Sequence, residues 1–271
     1  MSSPRTPSAL DDYLFDLRGY LILEQALSPE LVGRLTEGLD RFRHLAPQQW
    51  EGQVQRSDND GEAKGYELQN IVTAGGPFTE LIDHPSWIEY VRRYAGEVDS
   101  YVEGLFIDEC FASMRSEGGY FGVHSGGYRG AVRGQYRYVD GVFRCGQVNI
   151  LMALTDIGPG DGGTMIIPGS HKSRLPHPDF DKYDGQQRMD LMPGVVEAQL
   201  KAGDVLLFCD GLSHGASSRT NPGERRVVIY RYGPSWGATR HGYVYPEELL
   251  DDLTPARRSI LEPVPPKIGP A

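Results

Sequence analysis

The chain has 271 residues and a formal net charge of −10, with 39% hydrophobic and 24% charged residues. That length suits one large domain with a sizeable core, expected to span residues 1–271. The acidic balance argues against nucleic-acid polymers, and no apolar run is long enough to cross a bilayer.

The first residues lack the apolar centre of a signal peptide, so a cytoplasmic protein is expected. Three cysteines, Cys110, Cys145 and Cys209, show no CxxC spacing and are read as reduced thiols.

A helical flank is expected over about residues 1–100, a β core over about 101–235 and a tail over about 236–271. Phe15–Leu23 reads as a short apolar strand punctuated by Gly19. Ser28 before Pro29 is an N-cap followed by a first helical position. Leu31, Val32, Leu35, Leu39 and Phe42 recur at helical spacing, which predicts a helix over 29–44. Residues 45–65 are polar and read as a mobile loop. Phe78, Leu81, Ile82, Trp87, Val91 and Tyr94 predict a second helix over 77–95.

Short β-prone runs then follow, separated by glycine turns: 101–107, 146–154, 164–167, 195–200, 204–208 and 226–232. Such spacing predicts a β-sandwich or jelly roll. A final helix is expected over 247–261.

The chemistry centres on Phe121-Gly-Val-His-Ser-Gly-Gly127, on His214, and on Arg225 eleven positions later. A mononuclear non-haem Fe(II) oxygenase commonly uses two histidines and one carboxylate. His124 and His214 are the candidate metal ligands, and Gly126 stands where the carboxylate is expected. Glycine there removes a negative charge and leaves room for a chloride ion. Arg225 suits a buried carboxylate because its planar fork pairs bidentately and stays protonated. Arg226 is the fallback, pointing to the opposite face of its strand. Asp140 and Asp210 are candidates for a carboxylate supplied from elsewhere.

These residues carry a family resemblance over nearly the whole chain. Phe15-Asp-Leu-Arg-Gly-Tyr-Leu, Leu27-Ser-Pro-Glu30, Ala153-Leu-Thr-Asp156, Gly162-Gly-Thr-Met-Ile-Ile-Pro-Gly-Ser-His-Lys172 and His214 through Arg225 resemble the phytanoyl-CoA dioxygenases. The resemblance implies a mainly β fold with flanking helices, a double-stranded β-helix (jelly roll, cupin-like). It implies Fe(II), 2-oxoglutarate and O2 as cofactors and co-substrates, with iron on His124 and His214, 2-oxoglutarate on Arg225, and a structural role for His171.

The family pattern is His-x-Asp, and this chain has His124-Ser-Gly126. That departure resembles the halogenases of the superfamily, in which Gly or Ala leaves a coordination position to chloride. An oxidoreductase that chlorinates an unactivated C–H bond is therefore the leading expectation. A hydroxylase of the same family is the alternative, and a binding protein of the same fold the third.

Arg129, Arg133, Arg137 and Arg144, interleaved with Tyr128, Tyr136, Tyr138 and Phe143, read as a lid over an anionic substrate. Asn149 is a further candidate lining residue. This segment and the His-Ser-Gly motif resemble nucleotide halogenases of nucleoside-antibiotic biosynthesis, which implies a free nucleotide such as dAMP as substrate.

Overall fold

The computed structural model describes residues 4–58, 64–96, 104–129, 132–235 and 245–262. Two antiparallel sheets face each other. The larger runs in the order Tyr20–Leu23 (β1), Val205–Cys209 (β12), Val148–Ala153 (β9), Arg225–Pro234 (β14), Leu105–Arg115 (β5), Gly65–Gln69 (β4), Val54–Ser57 (β3), Trp50–Glu51 (β2). The smaller runs Val196–Ala198 (β11), Thr164–Ile166 (β10), His214–Ala216 (β13), Phe121–His124 (β6). Tyr136–Val139 (β7) and Val142–Cys145 (β8) form a separate hairpin. This is the expected jelly-roll architecture.

Both faces of the larger sheet are covered, so its central strands are buried throughout and read as apolar runs rather than alternating ones. One face carries helices α1 (Ala9–Arg18) and α2 (Pro29–Asp40) and the segment 71–96 over Leu68, Ile150, Val205, Tyr230 and Tyr232. The other packs Leu151, Leu206, Phe208 and Val227 against Ile166 and Ala198 of the smaller sheet.

Several expected elements differ. Phe15–Arg18 belong to α1, not to a strand. Ser8 caps that helix in a capping box with Asp11, and Gly19 closes it at φ +84° before β1 begins. A Cβ on Gly19 would lie 2.5 Å from His171 Nδ1 and 2.7 Å from Leu212 Cδ1. Gly19→Ala is therefore expected to destabilise the fold by about 2–4 kcal/mol, combining positive-φ strain with overpacking. Chemical denaturation checks this, and a loss under about 1 kcal/mol would count against the assignment.

Helix α2 begins at the expected Ser28 cap but ends at Asp40. The chain then tightens to three-residue hydrogen bonds, Phe42 to Leu39 and Leu45 to Phe42. The expected helix over 77–95 is three short pieces: Gly76–Leu81 (3-10), α3 (Ile88–Val91) and the π-turn Arg92–Gly96. Pro85 interrupts any continuous helix, although Phe78, Leu81, Trp87 and Tyr94 are buried as their spacing implies.

Residues 50–57 and 65–69 form strands that extend the larger sheet, not a loop; 59–63 lie outside the described residues. The expected tail helix is split into α4 (Glu247–Asp251) and α5 (Pro255–Leu261), the second capped by Thr254. Residues 101–103 of the first expected strand are likewise outside the described set.

Candidate functional site

His124 ends β6 and His214 begins β13, and the two are direct cross-strand partners. Their rings lie 4.1 Å apart between centroids. Each Nδ1 faces a backbone carbonyl, Gly122 at 3.1 Å and Leu212 at 2.6 Å. That arrangement fixes the ring orientation and leaves each Nε2 for a ligand. Burial, the largest cause in both cases, holds both imidazoles below their ordinary pKa, so they are neutral donors.

The histidines open into a cavity between the sheets, lined in part by Phe111, Phe121, Leu151, Phe208 and Ile229. Two arginines stand at one end of it. Arg225 and Arg115 are register partners on β14 and β5, 3% and 5% exposed. Arg225 donates to the Gly162 carbonyl, while its Nε and both Nε and Nη1 of Arg115 have no partner within the protein. Burial and their mutual proximity depress Arg225; burial pushes Arg115 down to about 10, with Glu67 opposing. Two dry guanidinium groups with bare N–H donors call for an anion. A dicarboxylate reaching from the histidines would supply one.

Arg226 faces the other side of β14, bound to Glu224 at 2.7 Å and Asp40 at 2.9 Å, and does not reach the cavity. His171 contacts the Asp16 carbonyl through Nε2 at 3.1 Å and stacks edge-on against Tyr136.

Gly126 adopts φ +117°, and a Cβ there would meet Ser213 Oγ at 2.9 Å and the Tyr128 ring at 3.0 Å. Among the described residues, no group of three or more His, Cys, Asp or Glu side chains is arranged to hold a metal ion. Asp210 is the carboxylate whose charge acts most on His214, but Arg133 holds it at 3.1 Å and Asn149 at 3.2 Å. Asp140 is exposed at the β7–β8 turn.

The arginines of the expected lid separate. Arg133 reaches Asp210, and its charge acts on both histidines. Arg129 instead lies over the Phe180 ring at 4.1 Å, hydrogen-bonded to the Tyr128 hydroxyl. Arg137 and Tyr128 line a broad outer groove beside Lys172 and Arg174, outside the histidine cavity. The β7–β8 hairpin packs Phe143 and Tyr136 against Phe15 and Tyr94. Asn149 is buried on β9 beside Asp210.

Sequence reading missed Arg115, Glu67 and Arg231, all of which line the cavity. For Arg231 a signal existed, because residues 225, 227, 229 and 231 share one face of a strand. Arg115 and Glu67 lie on β5 and β4, and only the pairing of those strands with each other and of β5 with β14 brings them to the cavity.

The chain matches the phytanoyl-CoA dioxygenase family over residues 15–227. It is 28% identical over 115 residues to dioxygenase cdmD of Talaromyces verruculosus, covering 42% of this chain and 35% of that protein. It is 37% identical over 79 residues to dioxygenase FUM3 of Gibberella moniliformis, covering 29% and 23%. The match thus spans about a third or less of these curated relatives. Among solved structures, HygX from Streptomyces hygroscopicus with nickel and 2-oxoglutarate bound superimposes with a TM-score of 0.70 at 22% identity, covering 84% of this chain and 88% of that one. The epimerase SnoN of nogalamycin biosynthesis gives 0.59 at 17% identity, covering 82% and 81%.

Fold and family match agree on the class, that of the Fe/2-oxoglutarate dioxygenases. Within it, the chain belongs to the phytanoyl-CoA dioxygenase family. No helix among the described residues is long and apolar enough to cross a membrane.

Proposed function

We propose that this protein is an Fe(II)/2-oxoglutarate-dependent halogenase acting on a C–H bond of a small anionic molecule, an adenine nucleotide such as dAMP. The carrying observation is a paired His124–His214 with glycine two positions on and no metal-holding carboxylate grouped with them among the described residues. When bound, iron with 2-oxoglutarate and O2 supplies the oxidising power to break the C–H bond, and a chloride beside it supplies the group that replaces hydrogen.

The protein's own part is positional. His124 and His214 hold the metal through Nε2, with the rings locked by their carbonyl contacts. Arg225, with Arg115 behind it, takes the far carboxylate of 2-oxoglutarate. The apolar walls, Phe111, Leu151, Phe208 and Ile229, exclude water, which would otherwise compete for the reactive centre. Small Gly126 keeps a side-chain oxygen off the metal.

Asp210 motivates a second reading, a hydroxylase. Its charge acts on His214, and release from Arg133 and Asn149 would free it to approach the metal.

Anaerobic addition of Fe(II) and 2-oxoglutarate should develop a metal-to-ligand charge-transfer band that shifts with chloride. With O2 and dAMP, mass spectrometry should find a chlorinated product. A hydroxylated product at every chloride concentration, lost in Asp210→Asn, would establish the second reading instead. Absence of the band would remove both.

A further inference from the structure

A second polar cluster borders the cavity, which Arg231 and Phe208 of that cluster line, and Arg231 has no role so far. Glu109, Arg231, Asn149 and Phe208 form one row across β5, β14, β9 and β12, by direct register. Phe208 touches His214, with ring centroids 4.8 Å apart, so the row lies beside the histidines. Arg231 is six positions from Arg225 on the same face of β14, roughly 20 Å along the strand. Arg225 and Arg231 thus line the same cavity as the histidine pair at well-separated points.

The row carries unused hydrogen-bonding capacity of both kinds. Arg231 pairs with Glu109 through Nη1 at 2.5 Å and lies over the Phe111 ring, yet its buried Nε has no partner. Arg133 stands nearby, with its side chain 46% exposed. Asn149 contributes an acceptor, and so does Gln147, which lies outside the row, two positions before Asn149 and just ahead of β9. Each amide nitrogen is committed to a carboxylate, Asp210 at 3.2 Å and Asp108 at 2.8 Å, which fixes how the amides are turned. Their oxygens, Asn149 Oδ1 and Gln147 Oε1, are buried and have no donor. A purely structural ion pair explains none of these three unpartnered atoms, since buried polar groups are normally satisfied.

We propose that this row is the substrate-recognition subsite: Arg231, helped by Arg133, holds an oxyanion of the substrate, a phosphate monoester, while Asn149 and Gln147 accept O–H or N–H groups of the same molecule. The proposal rests on the metal and 2-oxoglutarate assignment only for which end of the cavity is left to the substrate. It places Arg129 and Arg137, stacked on Phe180 and lining the outer groove, outside recognition. It also describes a polar substrate with donors near its charge, not a long apolar chain.

The test compares dAMP with 2′-deoxyadenosine, which lacks the phosphate, by calorimetry on protein loaded anaerobically with Fe(II) and 2-oxoglutarate. Arg231→Gln is expected to weaken dAMP by about 30-fold, the scale of one lost hydrogen bond to a charged group. Binding of 2′-deoxyadenosine should stay within about twofold, well below that scale, and the charge-transfer band should be unchanged. Arg231→Lys should fall between, keeping the charge but losing the fork. Because Arg231→Gln strands Glu109, the double variant Glu109→Gln/Arg231→Gln is measured beside it and should show the same selective loss. Unchanged dAMP binding in both variants, equal loss for both ligands, or no dAMP binding by the wild type overturns the subsite. The band is read in the same samples. Its absence overturns the metal assignment, while dAMP titrated into metal-free protein still reports on Arg231.

Discussion

Arg225→Met is expected to lower the affinity for 2-oxoglutarate about 100-fold while leaving the melting temperature of the ligand-free protein unchanged or higher. The two halves have one cause. Arg225 is 3% exposed, lies beside Arg115 and Arg219, and is held well below its usual pKa by burial first and those charges next. A base whose folded-state pKa is depressed opposes folding at every pH where the unfolded chain keeps it charged. An apolar side chain of similar length relieves that opposition, and replacing buried ionic groups this way is often neutral or stabilising. The lost bond to the Gly162 carbonyl offsets part of the gain.

With 2-oxoglutarate bound, the same guanidinium has its anion, and removing one partner of a desolvated charge pair costs about 2–5 kcal/mol. Calorimetric titration and thermal melts with and without 2-oxoglutarate check both halves. Arg225→Lys should retain part of the affinity, because charge persists without the planar fork. A variant that melts several degrees lower yet binds 2-oxoglutarate normally would show that Arg225 only supports the strand.

Gly126→Asp is expected to end chloride dependence, both in the charge-transfer band and in chlorinated product. A carboxylate at this position supplies the negative charge and the ligand atom that a halide otherwise brings. The backbone resists the change. At φ +117° any L side chain is strained, and the new Cβ sits 2.9 Å from Ser213 Oγ. The strain costs about 1–3 kcal/mol, which lowers the melting point by roughly 2–10 °C for a chain of this size.

Gly126→Ala separates the two effects. It carries the same strain without a carboxylate, so it should melt low yet remain chloride-dependent. Gly126→Asp/Ser213→Ala removes the contact and should recover part of the stability. Persistent chlorination by Gly126→Asp would mean that position 126 does not face the metal.

Much of this architecture is legible in the chain. Five of the six β-prone runs appear as strands within a few residues of their expected bounds, the central ones because the larger sheet is buried on both faces and selects apolar residues; the first, 101–107, catches only the start of β5. The Ser28 cap and Pro29 mark the start of α2. Helix 77–95 fails as one element although its apolar positions are buried as expected. Burial follows side-chain chemistry, whereas continuity is broken locally by Pro85. Strands β3 and β4 went unseen because they are only four and five residues long and carry few apolar side chains, Val54 in β3 and Tyr66 and Leu68 in β4, too few for a period to stand out.

Residue type and spacing, together with the family resemblance, nominated His124, His214 and Arg225 and marked glycine at position 126. Which charges would meet was not determined there. Arg115 faces Arg225 across 110 residues of sequence through strand register alone. Arg129, Arg133 and Arg137 separate, because the β7–β8 hairpin spends Phe143 and Tyr136 on the helical flank and carries Arg137, paired in register with Arg144, to the outer groove. Local sequence sets what each residue can do. Sheet register and two-sided packing decide which residues share one dry cavity, and there a charge without a partner is costly enough to matter.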